Sequence, residues 1–155
     1  VRSDWYQKVL RSYGASYRVR NNWDGKLTTV YRRDFSKYRL LDINNDGIKE
    51  LMLHDYPWAV FFTYYKGKVT PLIYGSTRGA YLKGKYLTIV TGTSSENTCR
   101  TYVLQNGKLK QIINYFHTTS SAYRVPIYKV NGKKCSKAAF YKVYNKYKNN
   151  AKLLF

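Results

Sequence analysis

The chain has 155 residues and a formal net charge of +20, from 28 Lys and Arg against eight Asp and Glu. Apolar residues make up 44% of it and aromatic residues 17%, which excludes a disordered basic tail and predicts a folded protein. There is no run of about eighteen apolar residues, so the sequence excludes a membrane-spanning helix. The length is typical of one domain, and we expect residues 1–155 to form a single globular domain.

Each end of the chain carries the hydrophobic period of an amphipathic helix. Ser3 is the candidate N-cap of the first helix, which Gly14 ends, and Ser136 is the candidate N-cap of the second. The predicted buried stripes are Trp5, Val9, Leu10 and Tyr13 in the first helix and Phe140, Val143, Tyr144 and Tyr147 in the second. A basic face is predicted for the second helix from Lys137, Lys142, Lys146 and Lys148.

Between the helices, alternating apolar residues separated by turn residues predict an antiparallel meander of about eight strands, and hence an α+β fold. Asn106-Gly107 and Asn131-Gly132 are strong hairpin signals, because both residues tolerate positive φ. Turns are also predicted at Lys66–Lys68 and Gly84. A weak internal repeat at a spacing of about 36 to 40 residues indicates either two propeller-blade-like sheets of four strands or one continuous meander.

Residues 42–50 form the pattern D-x-N-x-D-G-x-x-E, which places oxygen-bearing side chains at alternate positions. The segment from Asp42 to Asp55 holds four of the eight acidic residues, and such carboxylates repel one another unless a cation lies among them. Hard oxygen ligands at this spacing, with Gly47 allowing a sharp turn, favour Ca²⁺ over the geometrically stricter Mg²⁺. The predicted ligands are the side chains of Asp42, Asn44, Asp46 and Glu50 and the backbone carbonyl of Ile48.

The loop departs from an EF-hand at two points. Leu53 occupies the position of the bidentate glutamate, and the flanking segments read as strands rather than helices. The alternative to a calcium loop is a polar turn whose aspartates accept hydrogen bonds from their own backbone.

Two resemblances follow from these residues. The loop is similar to the calcium loops that replace a hairpin turn in FG-GAP repeats of integrin-type propellers, where the ninth position provides the last carboxylate. Together with Tyr64, Gly67–Val69 and the segment Asn131–Lys137, the loop also resembles uncharacterised exported or surface proteins of Gram-positive gut Firmicutes. Cys135 stands where valine is usual in that pattern. The resemblance implies secretion or surface display and a calcium site, and the proteins it refers to carry no assigned activity.

The cations and the cysteines leave alternatives open. A charge of +20 favours contact with an anionic polymer, such as nucleic acid, a cell-wall polymer or a glycan, although a well-solvated surface is the alternative. Lysine follows glycine in four predicted turns, at Lys68, Lys85, Lys108 and Lys133.

The two cysteines leave two alternatives open: Cys99 and Cys135 either form one disulfide or are two small buried side chains.

No nucleophile motif is present, and we expect a monomeric, non-catalytic module that is secreted or displayed on the cell surface. The alternative function is a small basic ribonuclease-like hydrolase. Its residues would be Glu96 as a carboxylate base and His117 as an acid, together with Arg100. In the non-catalytic interpretation Glu96 is a loop residue and His117 ends a strand.

Overall fold

The computed structural model describes residues 4–93, 95–118 and 125–155. Thirteen strands and two helices lie in these ranges, and the strands pair antiparallel within their sheets, which confirms the α+β class. Contacts divide the chain into two compact units. Unit 1 comprises the chain up to Ser76 together with Leu104–Leu109, and unit 2 comprises Thr77–Val103 and Lys110–Phe155. That the whole chain forms a single domain stays a prediction.

Unit 1 contains a short helix, a two-stranded hairpin and a four-stranded sheet. The helix is α1 (Tyr6–Arg11), and the hairpin consists of β1 (Ser16–Arg20) and β2 (Leu27–Tyr31). A 3₁₀ turn at Arg32–Asp34 leads into the sheet, whose strands lie in chain order. These strands are β3 (Lys37–Leu41), β4 (Glu50–Asp55), β5 (Trp58–Tyr65) and β6 (Lys68–Ser76).

The core of unit 1 forms where α1 and the hairpin supply apolar side chains to the central strands. Trp5 and Val9 on the helical segment and Val19 and Val30 on the hairpin join one buried cluster with residues of β4 and β5. Leu51 and Leu53 of β4 are fully buried, so the position that an EF-hand gives to glutamate is a core position here. The predicted stripe is right for Trp5, Val9 and Leu10 and wrong for Tyr13, which lies beyond the helix and is 61% exposed.

The first helix begins later than predicted. Trp5 is its N-cap residue and makes no side-chain cap hydrogen bond. The predicted cap, Ser3, lies outside the described residues.

Unit 2 is built on a seven-stranded sheet, in the order β12-β11-β10-β9-β8-β7-β13. Its strands are β7 (Gly79–Lys83), β8 (Tyr86–Gly92), β9 (Glu96–Gln105), β10 (Lys108–Thr118), β11 (Tyr128–Val130), β12 (Lys133–Lys134) and β13 (Lys152–Leu153). The tip of the β9–β10 hairpin, Leu104–Leu109, belongs to unit 1. The predicted turns at Gly84, Asn106-Gly107 and Asn131-Gly132 are confirmed, and each of these residues has positive φ.

The second helix, α2 (Lys137–Tyr147), covers one face of this sheet. The Oγ of Ser136 accepts a hydrogen bond from Ala139 N at 3.1 Å, which confirms the predicted N-cap. Phe140 is fully buried against Val90, Cys99 and Tyr115 of the sheet. The remaining predicted stripe residues pack against the same cluster: Val143, Tyr144 and Tyr147.

The internal repeat corresponds to two antiparallel meanders of four strands. Strands β3 to β6 form the first in chain order, and β7 to β10 form the second. In the sequence repeat, the residues of β4, β5 and β6 align with those of β8, β9 and β10. The second meander is extended by β11 and β12 on one side and by β13 on the other, so its sheet exceeds a four-stranded blade.

Both cysteines are free thiols in the structure. Cys99 is 2% exposed on β9, and Cys135 packs half-buried against the same cluster. Of the two alternatives, the structure shows packed side chains rather than a disulfide. Burial raises the pKa of the Cys99 thiol to about 11, so this side chain stays protonated at neutral pH.

None of the helices that the structure describes is long and apolar enough to cross a membrane.

Candidate functional site

The acidic loop joins two neighbouring antiparallel strands of unit 1. Leu41, at the end of β3, pairs with Glu50, at the start of β4, so the loop takes the place of a hairpin turn. Asn45 and Gly47 have φ of 61° and 85°, and these left-handed conformations close the turn. The strand-like flanks predicted from the sequence are confirmed.

Asp42 and Asp46 fold their side chains back onto the loop backbone. The two carboxylate oxygens of Asp42 accept hydrogen bonds from Asp46 N at 3.1 Å and Gly47 N at 2.8 Å. Oδ1 of Asp46 accepts one from Ile48 N at 2.8 Å. These bonds are those of the polar-turn alternative. They do not exhaust the acceptor sites, because an ionised carboxylate has about four lone-pair positions.

Glu50 is the most deeply placed carboxylate of the loop, with 2% of its surface exposed. Its Oε2 accepts a hydrogen bond from Ile43 N at 2.8 Å, and its Oε1 accepts one from Thr63 Oγ1 at 3.2 Å. The pKa of Glu50 is raised to about 7, first by burial and then by the negative charges of Asp46 and Asp42, against the opposing effect of the hydrogen bonds from Ile43 and Thr63. A buried carboxylate with two like charges nearby is a costly arrangement that a cation would relieve.

Asn44 supplies a second sign of an unmet interaction. Its Oδ1 is buried and has no hydrogen-bond partner within the part of the chain that the structure describes. Buried side-chain oxygens are seldom left without a donor or a cation. Asn44 is the third position of the predicted ligand pattern, so the oxygen without a partner is one of the predicted ligands.

A cavity of about 370 Å³ lies beside the loop, wholly within unit 1. Asn44, Asp46, Ile48 and Glu50 line one side of it, so four of the five predicted ligand residues face a common space and Asp42 is not among them. Thr63, Tyr64, Tyr65 and Lys66 and the tip of the β9–β10 hairpin line the rest.

The donor set determines which ion fits this loop. Within residues 4–93, 95–118 and 125–155 there is no group of three or more His, Cys, Asp or Glu side chains that could hold a metal ion. A site here therefore requires the amide oxygen of Asn44 and the carbonyl of Ile48 in addition to carboxylates. An all-oxygen set of carboxylates, amide and carbonyl matches Ca²⁺, which takes six to eight oxygen ligands in flexible geometry.

The structure does not bring the three residues of the hydrolase alternative together. Cys99 of β9 and His117 of β10 line the same cavity on the α2 side of the sheet. Arg100 follows Cys99 in the strand and so projects to the opposite face, where its guanidinium donates to Thr91 Oγ1 at 3.2 Å. By the same alternation, Glu96 lies on the face of Arg100. The sheet thus separates His117 from the other two residues.

Two features of the surface escaped the sequence analysis. The sequence predicts Lys148 on the basic face of the second helix, but in the structure it lies half-buried with its ammonium 4.1 Å from the ring centroid of Tyr81. In unit 1, Trp23 and Trp58 are 56% and 41% exposed and form an aromatic group with Tyr74. Neither could be found from spacing alone, because both depend on contacts between distant segments.

The lysines that follow glycine in turns are all exposed: Lys68, Lys85, Lys108 and Lys133. Exposed cations at turn tips keep their charge in solvent, where it contributes to the long-range positive field of the protein.

Comparison of the chain with protein-family models, with curated proteins and with solved structures finds no match.

Proposed function

We propose that the protein is a non-catalytic module of the bacterial cell surface or extracellular space, that Ca²⁺ bound by residues 42–50 stabilises its fold, and that its basic surface contacts an anionic polymer. One observation carries the calcium proposal. The loop buries the carboxylate of Glu50 and an amide oxygen of Asn44 that has no partner among the described residues, beside a shared cavity. The extracellular location is supported by the resemblance to exported proteins.

The role proposed for calcium is structural. The predicted ligands run from the residue after β3 to the first residue of β4, so an ion bound by them would tie the ends of two paired core strands. The positive charge of the ion would also offset the repulsion among the carboxylates of Asp42, Asp46 and Glu50.

Calcium binding is tested by titration calorimetry on Asp46→Asn. The asparagine oxygen can still accept the hydrogen bond from Ile48 N, so this variant removes the charge and retains the turn. We expect the wild type to bind Ca²⁺ with a dissociation constant on the order of 10⁻⁴–10⁻³ M, as extracellular modules do, and the variant to bind at least about tenfold more weakly.

The matched control is Asp55→Asn, which removes an exposed acidic residue at the end of β4, outside the predicted ligand set. It should bind calcium as the wild type does. If millimolar Ca²⁺ neither binds nor raises the melting temperature of the wild type, the loop is a polar turn and the calcium proposal fails.

Polymer binding is tested by retention on immobilised heparin and teichoic acid over a range of salt concentrations. Counterion release makes such binding fall steeply with salt, and replacing Lys68, Lys85 and Lys133 by Glu should lower both the retention and its salt dependence. Trp23→Ala, which removes an exposed aromatic ring and no charge, should leave retention unchanged. Salt-independent binding to a neutral glycan that is lost in Trp23→Ala would contradict the proposal and indicate a lectin-like site instead.

A further inference from the structure

A second cavity, of about 350 Å³, lies wholly in unit 2. Residues of β7, β8, β9 and β10 line it on one side, and Tyr141, Tyr144 and Lys148 of the C-terminal helical segment line it on the other. Its size lies at the lower end of the range of small-molecule sites. The acidic loop, residues 42–50, contributes none of these residues, so a ligand of this cavity would not contact the proposed calcium ligands.

The charges that line this cavity are positive. The ammonium of Lys148 lies 4.1 Å from the ring centroid of Tyr81 and 5.0 Å from that of Tyr144. Two ring faces therefore hold this cation in place and remove part of its hydration. The guanidinium of Arg78 is the second cation, and it donates to the Thr93 carbonyl oxygen and, at 3.4 Å, to Asn97 Oδ1. Among the residues that the structure describes, none of those lining this cavity carries a carboxylate.

His117 adds a fixed polar group that has no partner in the described part of the chain. Its ring packs 5.0 Å from that of Phe140, which holds the imidazole against the helix, and its Nδ1 is buried without a hydrogen bond. Burial, together with the nearby charge of Lys148, holds the pKa of His117 below its usual value, so the ring is neutral at pH 7. A neutral imidazole donates from one nitrogen and accepts at the other, which suits a ligand with both kinds of group.

The cavity is equipped to bind rather than to react. Of the described residues that line it, Cys99 alone carries sulfur, and the raised pKa of this thiol keeps it protonated. Lys148, Arg78 and His117 all line this cavity, and an anionic group with several oxygens is the ligand chemistry that matches two cations and an imidazole. The ring faces of Tyr141 and Tyr144 offer an apolar platform for the body of the ligand.

We infer that this cavity binds a monosaccharide-sized ligand that carries one phosphate or carboxylate group. The anionic group lies between Lys148 and Arg78, and the sugar ring lies on the tyrosines of the helical segment. A cavity of this volume accommodates one such ring. The inference goes beyond the proposed function and does not require calcium.

The experiment measures dissociation constants by NMR titration of the full chain in chelator, with glucose 6-phosphate, glucuronate, glucose and inorganic phosphate as probes. We expect one or both anionic sugars to bind at millimolar concentration or below, glucose not to bind, and phosphate alone to bind more weakly than the sugar phosphate. Lys148→Gln should weaken binding of the anionic sugar by about tenfold, because a hydrogen bond to a charged group is lost. Lys142→Gln removes an equal charge from an exposed position on the same helix and should leave binding unchanged.

Two further variants distinguish a loss of ligand contacts from a structural change at the end of α2. Arg78→Gln changes the opposite side of the cavity and should weaken binding by a similar factor, while Lys148→Arg should restore part of what Lys148→Gln loses. Equal weakening by Lys142→Gln and Lys148→Gln would assign the effect to the general positive field and overturn the inference. So would the absence of binding by both anionic sugars, or binding of phosphate as tight as that of the sugar phosphate.

Discussion

Replacing Glu50 by glutamine should stabilise the protein in chelator at pH 8 and abolish its stabilisation by calcium. Both hydrogen bonds of the side chain can be kept, because the glutamine oxygen can accept from Ile43 N and its amide can donate to the hydroxyl of Thr63. What is removed is a buried negative charge whose pKa in the folded state is about 7 instead of 4.5. The expected gain is roughly 3–4 kcal/mol, since each unit of the rise from 4.5 to about 7 is worth about 1.4 kcal/mol.

The raised pKa of Glu50 also determines how the stability of the protein changes with pH. The folded state holds the Glu50 proton more tightly than the unfolded state, so in chelator the contribution of this residue to stability falls as the pH rises from 4.5 to about 7. Calcium competes with that proton, and the stabilisation it provides should therefore grow over the same interval. Glu50→Gln should show neither effect.

Urea unfolding at pH 5 and pH 8, with either chelator or millimolar Ca²⁺, separates these contributions. Asp55→Asn, which removes an exposed carboxylate outside the loop, should follow the wild type under all four conditions. If Glu50→Gln is destabilised equally with and without calcium, then Glu50 serves as a hydrogen-bond acceptor alone, and the loop has no calcium ligand at its ninth position.

The parts of the fold that the sequence predicted are those fixed by local chemistry. Asn106-Gly107 and Asn131-Gly132 specify their turns through the φ values that the two residues tolerate, and Ser136 specifies a helix start through its own side chain. The loop pattern likewise groups Asn44, Asp46, Ile48 and Glu50, which line a common cavity, whereas Asp42 does not line it. In each case the residues that decide the structure lie within a few positions of one another.

What the sequence did not predict depends on contacts between distant segments. The β1–β2 hairpin exposes Arg18, Arg20 and Thr29, and its buried apolar positions are confined to Val19 and Val30. Tyr13 has the spacing of a buried helical residue, but α1 ends at Arg11. The sequence around Lys148 predicts a solvent-exposed cation. In the fold its ammonium contacts the ring of Tyr81, which lies 67 residues earlier in the chain.

The hydrolase alternative shows the same limit. Arg100 and His117 are compatible in chemistry and close in sequence, yet they lie on opposite faces of one sheet. Which face each residue takes depends on strand register, and register is set by pairing across the whole sheet rather than by residue type.

Replacing Phe140 by alanine should cost about 3–5 kcal/mol of unfolding free energy, the usual range for a buried aromatic residue. The ring is fully buried, and its centroid lies 6.0 Å from that of Tyr115 and 5.3 Å from that of Tyr128. It therefore joins α2 to the sheet of unit 2, and the loss should detach the helix from that face. The variant also tests the predicted single domain, because Phe140 belongs to unit 2 while all three tryptophans, Trp5, Trp23 and Trp58, belong to unit 1.

Tryptophan fluorescence then reports the unfolding of unit 1 alone, whereas far-ultraviolet circular dichroism reports both units. If the chain is one cooperative domain, Phe140→Ala should shift both transitions to lower urea by the same amount, as Phe62→Ala in the core of unit 1 should also do. A fluorescence transition that stays in place while part of the dichroism signal is lost earlier would show that the two units unfold separately. The single-domain prediction would then be wrong, although the burial of Phe140 would still account for the destabilisation of unit 2.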